Sequence, residues 1–268
     1  MRREKKYIQA VLAAAVMVAL IGTVSVRAED TGAYASVKAV FGYTVINGMR
    51  AKGNAYYDDG SYPGIPSGIP SGNYSASIGS GSGEDAVFGG SAALGYDFFR
   101  KFCVPVRAEV EYSIFTRASD SNSGLNVSGS NGISISGPAK EKLKVNAQTM
   151  FVNAYYDFHN QSRFTPYLGA GAGLAFVRSK GCIDIKGITD GWPGSSTGGH
   201  TKTNFAYNAT AGVSYALTKS IDLDLAYRFA DLGKARSGAA DIVGYGSYNH
   251  QAKHIYMHQV QLGVRFNF

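Results

Sequence analysis

Large apolar side chains recur at every second position over eight separate stretches of this sequence, with small, polar or charged residues between them. Residues 164–177, FTPYLGAGAGLAFV, show the pattern most sharply. Phe164, Pro166, Leu168, Ala170, Ala172, Leu174 and Phe176 share one face of a period-two element, and Thr165, Tyr167, Gly169, Gly171 and Gly173 share the other. A dinucleotide-binding loop would need its third glycine at position 174, where this chain has Leu174. The run therefore predicts a strand and not a phosphate cradle.

The same alternation predicts strands over residues 32–45, 86–98, 104–114, 148–158, 204–217, 221–229 and 254–268. In the fourth strand of the eight it blurs upstream of 148, near Lys144 and Asn146. Short connections fall near 99–102, 159–163 and 218–220, and long ones at about 46–85, 116–142, 178–203 and 230–253. A soluble sandwich also alternates, but its strands average about five or six residues and its turns are of similar length at both ends. Strands of about ten residues, with short turns on one side and long loops on the other, describe a membrane-spanning barrel. The predicted fold is all-β: an eight-stranded antiparallel transmembrane β-barrel, an up-and-down meander with four long extracellular loops. Tyr43, Tyr96, Phe98, Tyr156, Phe158, Phe164, Tyr215, Tyr227 and Phe268 lie where the apolar faces end, as interfacial girdles do. An eight-stranded interior is just wide enough for side chains to fill, so the bulky apolar faces point to lipid. Gly169, Gly171 and Gly173 then face inward and leave room for larger luminal groups.

The N-terminus carries Arg2, Arg3, Lys5 and Lys6, an apolar stretch from about Tyr7 to Val24, and small residues around Arg27. These mark residues 1–28 as a secretory signal peptide and 29–268 as the mature barrel domain. Losing five cations and one anion with that segment lowers the formal net charge from +7 to +3, which removes any nucleic-acid footprint. No later stretch reaches about 18 apolar residues, so any membrane-embedded part must be a closed barrel. Cys103 and Cys182 are too few for a disulfide scaffold, and the topology separates them.

Inward positions carry Lys38, Arg107, Arg228 and Arg265 against Glu109, Glu111, Asp157, Asp222 and Asp224. Buried charges without partners are costly, so this near-balance predicts pairing across the lumen, with Arg107 and Arg228 as bridges. His254 and His258 share the lipid-side parity of the last strand, while His159, His200 and His250 fall in turns or loops. No nucleophile–base pair is evident, and neither the histidines nor Asp58 and Asp59 have metal-ligand spacing. No enzyme activity, cofactor or metal is expected. The first long loop holds the tandem repeat GIPSGIPSG, residues 64–72, a low-complexity segment of the kind that forms flexible loops.

The signal peptide, the NAYYDF…FTPYLGAGAGLAFV pairing and the terminal QVQLGVRFNF resemble the opacity-protein and OmpA-like eight-stranded outer-membrane barrels of Gram-negative bacteria. The resemblance implies a monomer in the outer membrane, in contact with its lipid and lipopolysaccharide. It also implies insertion by the outer-membrane assembly machinery, which in this family reads the last strand and its terminal aromatics, here Phe266 and Phe268. The peptidoglycan-binding domain of some OmpA relatives is not expected. The implied function is a surface-exposed structural or adhesion scaffold whose long loops contact a host-surface ligand. A narrow porin passing small ions or solutes is the alternative.

Overall fold

The computed structural model describes residues 31–57, 71–129, 134–184, 195–196, 199–238, 240–242 and 246–268. The expected signal peptide, Asp58, Asp59 and most of the GIPSGIPSG repeat lie outside the described residues. Among the described residues the elements are β1 (Ala33–Tyr57), β2 (Gly72–Asp97), α1 (Phe98–Phe102), β3 (Val106–Phe115), β4 (Ala118–Gly129), β5 (Ser134–Asp157), β6 (Phe164–Asp184), β7 (Ser195–Ser196), β8 (His200–Ala216), β9 (Ile221–Asp231), β10 (Ala235–Arg236), β11 (Ala240–Ile242), β12 (Gly246–Ala252) and β13 (His254–Asn267).

Eight of these strands close a ring in the order β1, β2, β3, β5, β6, β8, β9, β13 and back to β1, with every pair antiparallel. The closing ladder runs from Tyr34↔Asn267 to Asn47↔His254. Closure matters because an unpaired strand edge cannot be hydrated inside a bilayer. The remaining strands extend the wall upward. Above β3, β4 takes its place between β2 and β5, and beyond β13, β12 takes its place beside β1.

The segments 46–85, 116–142, 178–203 and 230–253, expected to be long loops, therefore hold much of the longest strand structure; β2 alone runs 26 residues. The reason is a change of solvent along each strand. In β5, Met150, Val152 and Tyr156 are exposed on the outer wall while Asn153, Tyr155 and Asp157 are buried inside. Higher on the same strand the pattern inverts: Leu143, Val145 and Ala147 are buried inside, and Lys144, Asn146 and Gln148 face out. Below the inversion the outer wall meets lipid, and above it the wall meets water, so the apolar residues move to the interior. The blurred alternation at Lys144 and Asn146 is this crossover. Leu143, Val145, Ala147, Phe115, Phe151, Val177, Leu232, Ile255 and Met257 belong to one apolar cluster that fills the upper barrel.

At the other end the connections are short. Asp97 caps α1 by accepting a hydrogen bond from the Phe99 amide at 2.9 Å, and Cys103 ends it in a left-handed conformation with φ 55°. The glycine row of β6 is required by what lies across from it. A Cβ on Gly169 would overlap the Tyr155 ring, and one on Gly171 would overlap the Asn153 side chain.

Candidate functional site: the barrel lumen and its outer rim

The lower lumen is filled by a polar network built from inward positions of seven barrel strands. Each of the nine charges singled out in the sequence makes an ion pair there. Lys38 of β1 reaches across to β3, with Nζ 2.7 Å from Glu109 and 2.5 Å from Glu111. Arg228 of β9 forks onto Glu111, with Nη1 to Oε1 at 2.5 Å and Nη2 to Oε2 at 3.0 Å. Arg107 makes a bidentate pair with Asp157 at 2.6 and 2.9 Å, and its guanidinium lies over the rings of Tyr155 and Tyr167. Arg265 lies 3.0 Å from Asp222 and 3.8 Å from Asp224, and donates to Ser214 Oγ at 2.7 Å. Bidentate, fully enclosed geometry is the case in which mutual attraction offsets desolvation.

Neutral side chains complete the network. The Tyr155 hydroxyl donates to Glu109 at 2.7 Å, the Tyr34 hydroxyl at 3.2 Å and the Asn153 amide at 3.2 Å. Asn208 donates to Asn153 at 2.9 Å, and Arg228 Nε donates to Thr210 at 3.1 Å. Sequence reasoning singled out the charges and passed over these partners, although Tyr34, Asn153, Tyr155, Asn208 and Thr210 all share the inward parity that would have found them. Above them, Gln261 donates to Gln259 at 2.9 Å and Gln259 to the Met257 sulfur at 3.1 Å, where the polar layer gives way to the apolar cluster.

Phe266 and Phe268 lie at the closing seam. Phe266 is paired with Ala35 and with Ile221, and the Phe268 carbonyl accepts from the Thr31 amide at 3.0 Å and hydroxyl at 2.8 Å. The histidines do not converge. His159 stacks on Phe99 at the short-turn end, with ring centroids 3.7 Å apart. His200 and His250, expected in loops, lie on β8 and β12, because the wall continues through those segments. His254 and His258 are on β13 at the outer rim, where Tyr227 meets His258 at 2.7 Å and Asp231 meets His254 at 3.3 Å. Cys103 is exposed at the short-turn end and is a free thiol.

Both ends of the outer wall carry aromatics. Tyr96–Phe98, Tyr156–Phe158 and Phe164–Tyr215 pair near the short turns. At the rim the phenols meet polar partners: Tyr43 with Glu84, Tyr112 with Gln148 and Tyr207 with Asp231. An apolar wall between two such belts is what a bilayer selects.

A closed eight-stranded barrel with this wall is an integral protein of the outer membrane. The chain belongs to the family described as outer membrane protein beta-barrel domain, which matches residues 12–268. Over 150 residues it is 38% identical to the outer membrane protein PagN of Salmonella typhimurium, covering 55% of this chain and 59% of PagN. Over 128 residues it is 34% identical to a Rickettsia conorii protein named "Putative adhesin RC1281", covering 47% of this chain and 50% of that protein. The chain thus spans about half to three fifths of the length of these curated relatives. Among solved structures it is similar to Neisserial surface protein A, with TM-score 0.40 and 21% identity, covering 88% of this chain and 97% of that one.

Proposed function

We propose that this protein is a closed scaffold that holds adhesive extracellular segments above the outer membrane. The observation that carries this reading is the double filling of the barrel. Nine paired charges occupy the lower lumen, and an apolar cluster occupies the part above it. Both layers fill the cross-section that an aqueous path would need, and open channels use about twice as many strands. The rigid wall carries its upper strands beyond the lipid-facing band, which is where a protein that touches other surfaces needs its contact residues. The name of the Rickettsia relative agrees with this role. In this reading the barrel is a monomer that performs no chemistry and holds no cofactor, residues 1–28 are removed on export, and the nine charges serve stability. Phe266 and Phe268 serve as the signal read by the assembly machinery.

The test is a whole-cell adhesion assay. Bacteria expressing the protein should bind host cells, and excising residues 58–70 should reduce that binding while the barrel still folds. Adhesion that is unchanged after this excision and after equivalent cuts at 130–133 and 185–194 would refute the scaffold reading.

A further inference from the structure

The lipid-facing wall is not uniformly smooth. At the short-turn end of β6, β8, β9 and β13 it carries a groove of about 380 Å³, at the small end of the range of about 300–1,000 Å³ that ligand sites occupy. The rings of Phe164 and Tyr215, with centroids 4.9 Å apart, bank the end nearer the turns. Val213 and Val264 are shorter than the Leu225 and Leu262 beside them, and their missing atoms make the depression. The register pair Asp224↔Gly263 forms the floor with its backbone, since the Asp224 carboxylate is buried on the luminal side. Every side chain that lines the groove is apolar, and it opens onto the hydrocarbon of the periplasmic leaflet.

The mouth of the groove is basic. Arg163 directly precedes Phe164, and its carbonyl accepts from the Ala216 amide at 2.9 Å, which fixes it beside the end of β8. Lys219 lies three residues beyond Ala216, in the hairpin whose Leu217 and Thr218 amides both donate to the Ile221 carbonyl. Both residues are exposed, and among the described residues neither makes an ion pair. The other charged or titratable side chains outside the lumen at this end are Asp97, Arg100, Lys101 and His159. Asp97 is on β2, across the ring from β8, and lies 3.6 Å from Arg100, while His159 is stacked on Phe99 of α1. Two unpaired cations therefore stand at headgroup depth directly beyond an apolar groove, and phosphate is the headgroup anion that lysine and arginine recognise there.

We infer that this groove is a site for one anionic glycerophospholipid of the periplasmic leaflet, with an acyl chain along Val213 and Val264 and its phosphodiester held by Arg163 and Lys219. The groove alone would take any chain, and the cations alone would draw any anion. Together they select an anionic lipid over a zwitterionic one and fix it on one side of the barrel. The site is independent of whatever the extracellular segments touch.

The experiment uses protein purified from outer membranes and placed in nanodiscs of phosphatidylcholine with a minor share of phosphatidylglycerol. Lipid retained after the disc is dissolved in detergent is counted by native mass spectrometry. One phosphatidylglycerol should stay with the parent protein in preference to phosphatidylcholine. Replacing Arg163 and Lys219 together by serine should weaken that retention by about thirtyfold. Val264→Phe fills the groove from its lipid-facing side without entering the lumen; it should release the lipid while the folded, heat-modifiable fraction stays that of the parent. Lys101→Ser, which removes a cation at the same depth beside α1, should leave retention unchanged. Retention by the double serine variant or by Val264→Phe equal to the parent would overturn the assignment, and so would equal retention of phosphatidylcholine. Loss in Lys101→Ser as large as in the double variant would overturn it too, by reducing it to general surface attraction. A dimer mass in place of the lipid would reassign the groove to a contact between two copies of the chain.

Discussion

Arg228 and Glu111 face each other from opposite walls of the barrel, β9 and β3, and their bidentate contact at 2.5 and 3.0 Å is a strut across its diameter. Three strands separate β3 from β9 in either direction around the ring, so no shorter backbone route links the two sites. Lys38 shares the same carboxylate from a third position on the wall. Removing one member of such a set leaves the others charged, buried and short of a partner. Glu111→Gln should therefore lower folding stability by about 3–5 kcal/mol. Urea titration of refolding into lipid vesicles measures it, and a loss below about 1 kcal/mol would show the strut to be energetically idle.

The lumen should not conduct. Steady, reproducible steps in planar bilayers from the purified protein would promote the narrow-porin alternative. The structure adds a second condition to the usual test of a plug. Substituting Arg228 by serine opens only the polar layer, and the apolar cluster around Phe151 and Met257 still seals the barrel above it. Conductance is expected only when Arg228→Ser is combined with Phe151→Ser and Met257→Ser. Open channels in the Arg228→Ser single variant would show that the upper layer is not a seal.

Orientation can be read with one thiol and one tag. Cys103 is exposed beside α1 at the short-turn end. It should react with a membrane-impermeant maleimide only after the outer membrane is permeabilised. A tag after Ser67, between the two copies of the tandem repeat, should be reachable on intact cells, and a tag at Gln161 should not. Position 80, by contrast, lies within β2 and is unsuited to an insertion. Labelling of Cys103 on intact cells would invert the topology. The same separation predicts that Cys103 and Cys182 form no intramolecular disulfide: Cys182 lies 18 residues beyond Phe164 along β6, some tens of ångströms from the short-turn end.

The lipid-facing half of this fold was legible because one rule governs it. From Phe164 to Phe176 or from Ile221 to Phe229, alternation names the strand, its two faces and its inward charges. The pairings needed more. That Arg107 takes Asp157 while Arg228 crosses to Glu111 depends on register and barrel stagger, and neither is written in a single strand. The upper barrel reads as loop in the sequence for a different reason: above Gln148 the solvent changes, so the same period continues with opposite phase and the apolar-outward pattern stops there. Leu143, Val145 and Ala147, followed by Met150 and Val152, carry the phase shift in plain sequence.

Closure of the barrel ends on Phe268. Its amide donates to the Ala33 carbonyl at 2.9 Å, and its carbonyl receives both the amide and the hydroxyl of Thr31. Deleting Phe268 should lower the folded, heat-modifiable fraction in outer membranes. Replacing Thr31 by alanine, which removes its hydroxyl's bonds to the Phe268 carbonyl and from the Ala33 amide and leaves the terminal aromatic in place, should have a small effect. Equal yields for the deletion and the parent would count against Phe268 as an assembly signal.

The tightest spot in the wall gives the last test. Gly171 of β6 lies between Asn153 of β5 and Asn208 of β8, and the hydrogen bond from Asn208 to Asn153, at 2.9 Å, passes across the space a side chain would occupy. Gly171→Ala would push against both amides and break that bond, which also holds Asn153 toward Glu109. Overpacking of this kind costs about 1–3 kcal/mol. Gly90, whose added Cβ would meet nothing closer than 3.8 Å, is the matched control on the opposite, lipid-facing parity of β2. Gly171→Ala should refold to a lower yield and melt earlier than Gly90→Ala in the same heat-modifiability assay. Identical behaviour of the two would mean that the packing between Asn153 and Asn208 does not constrain the wall.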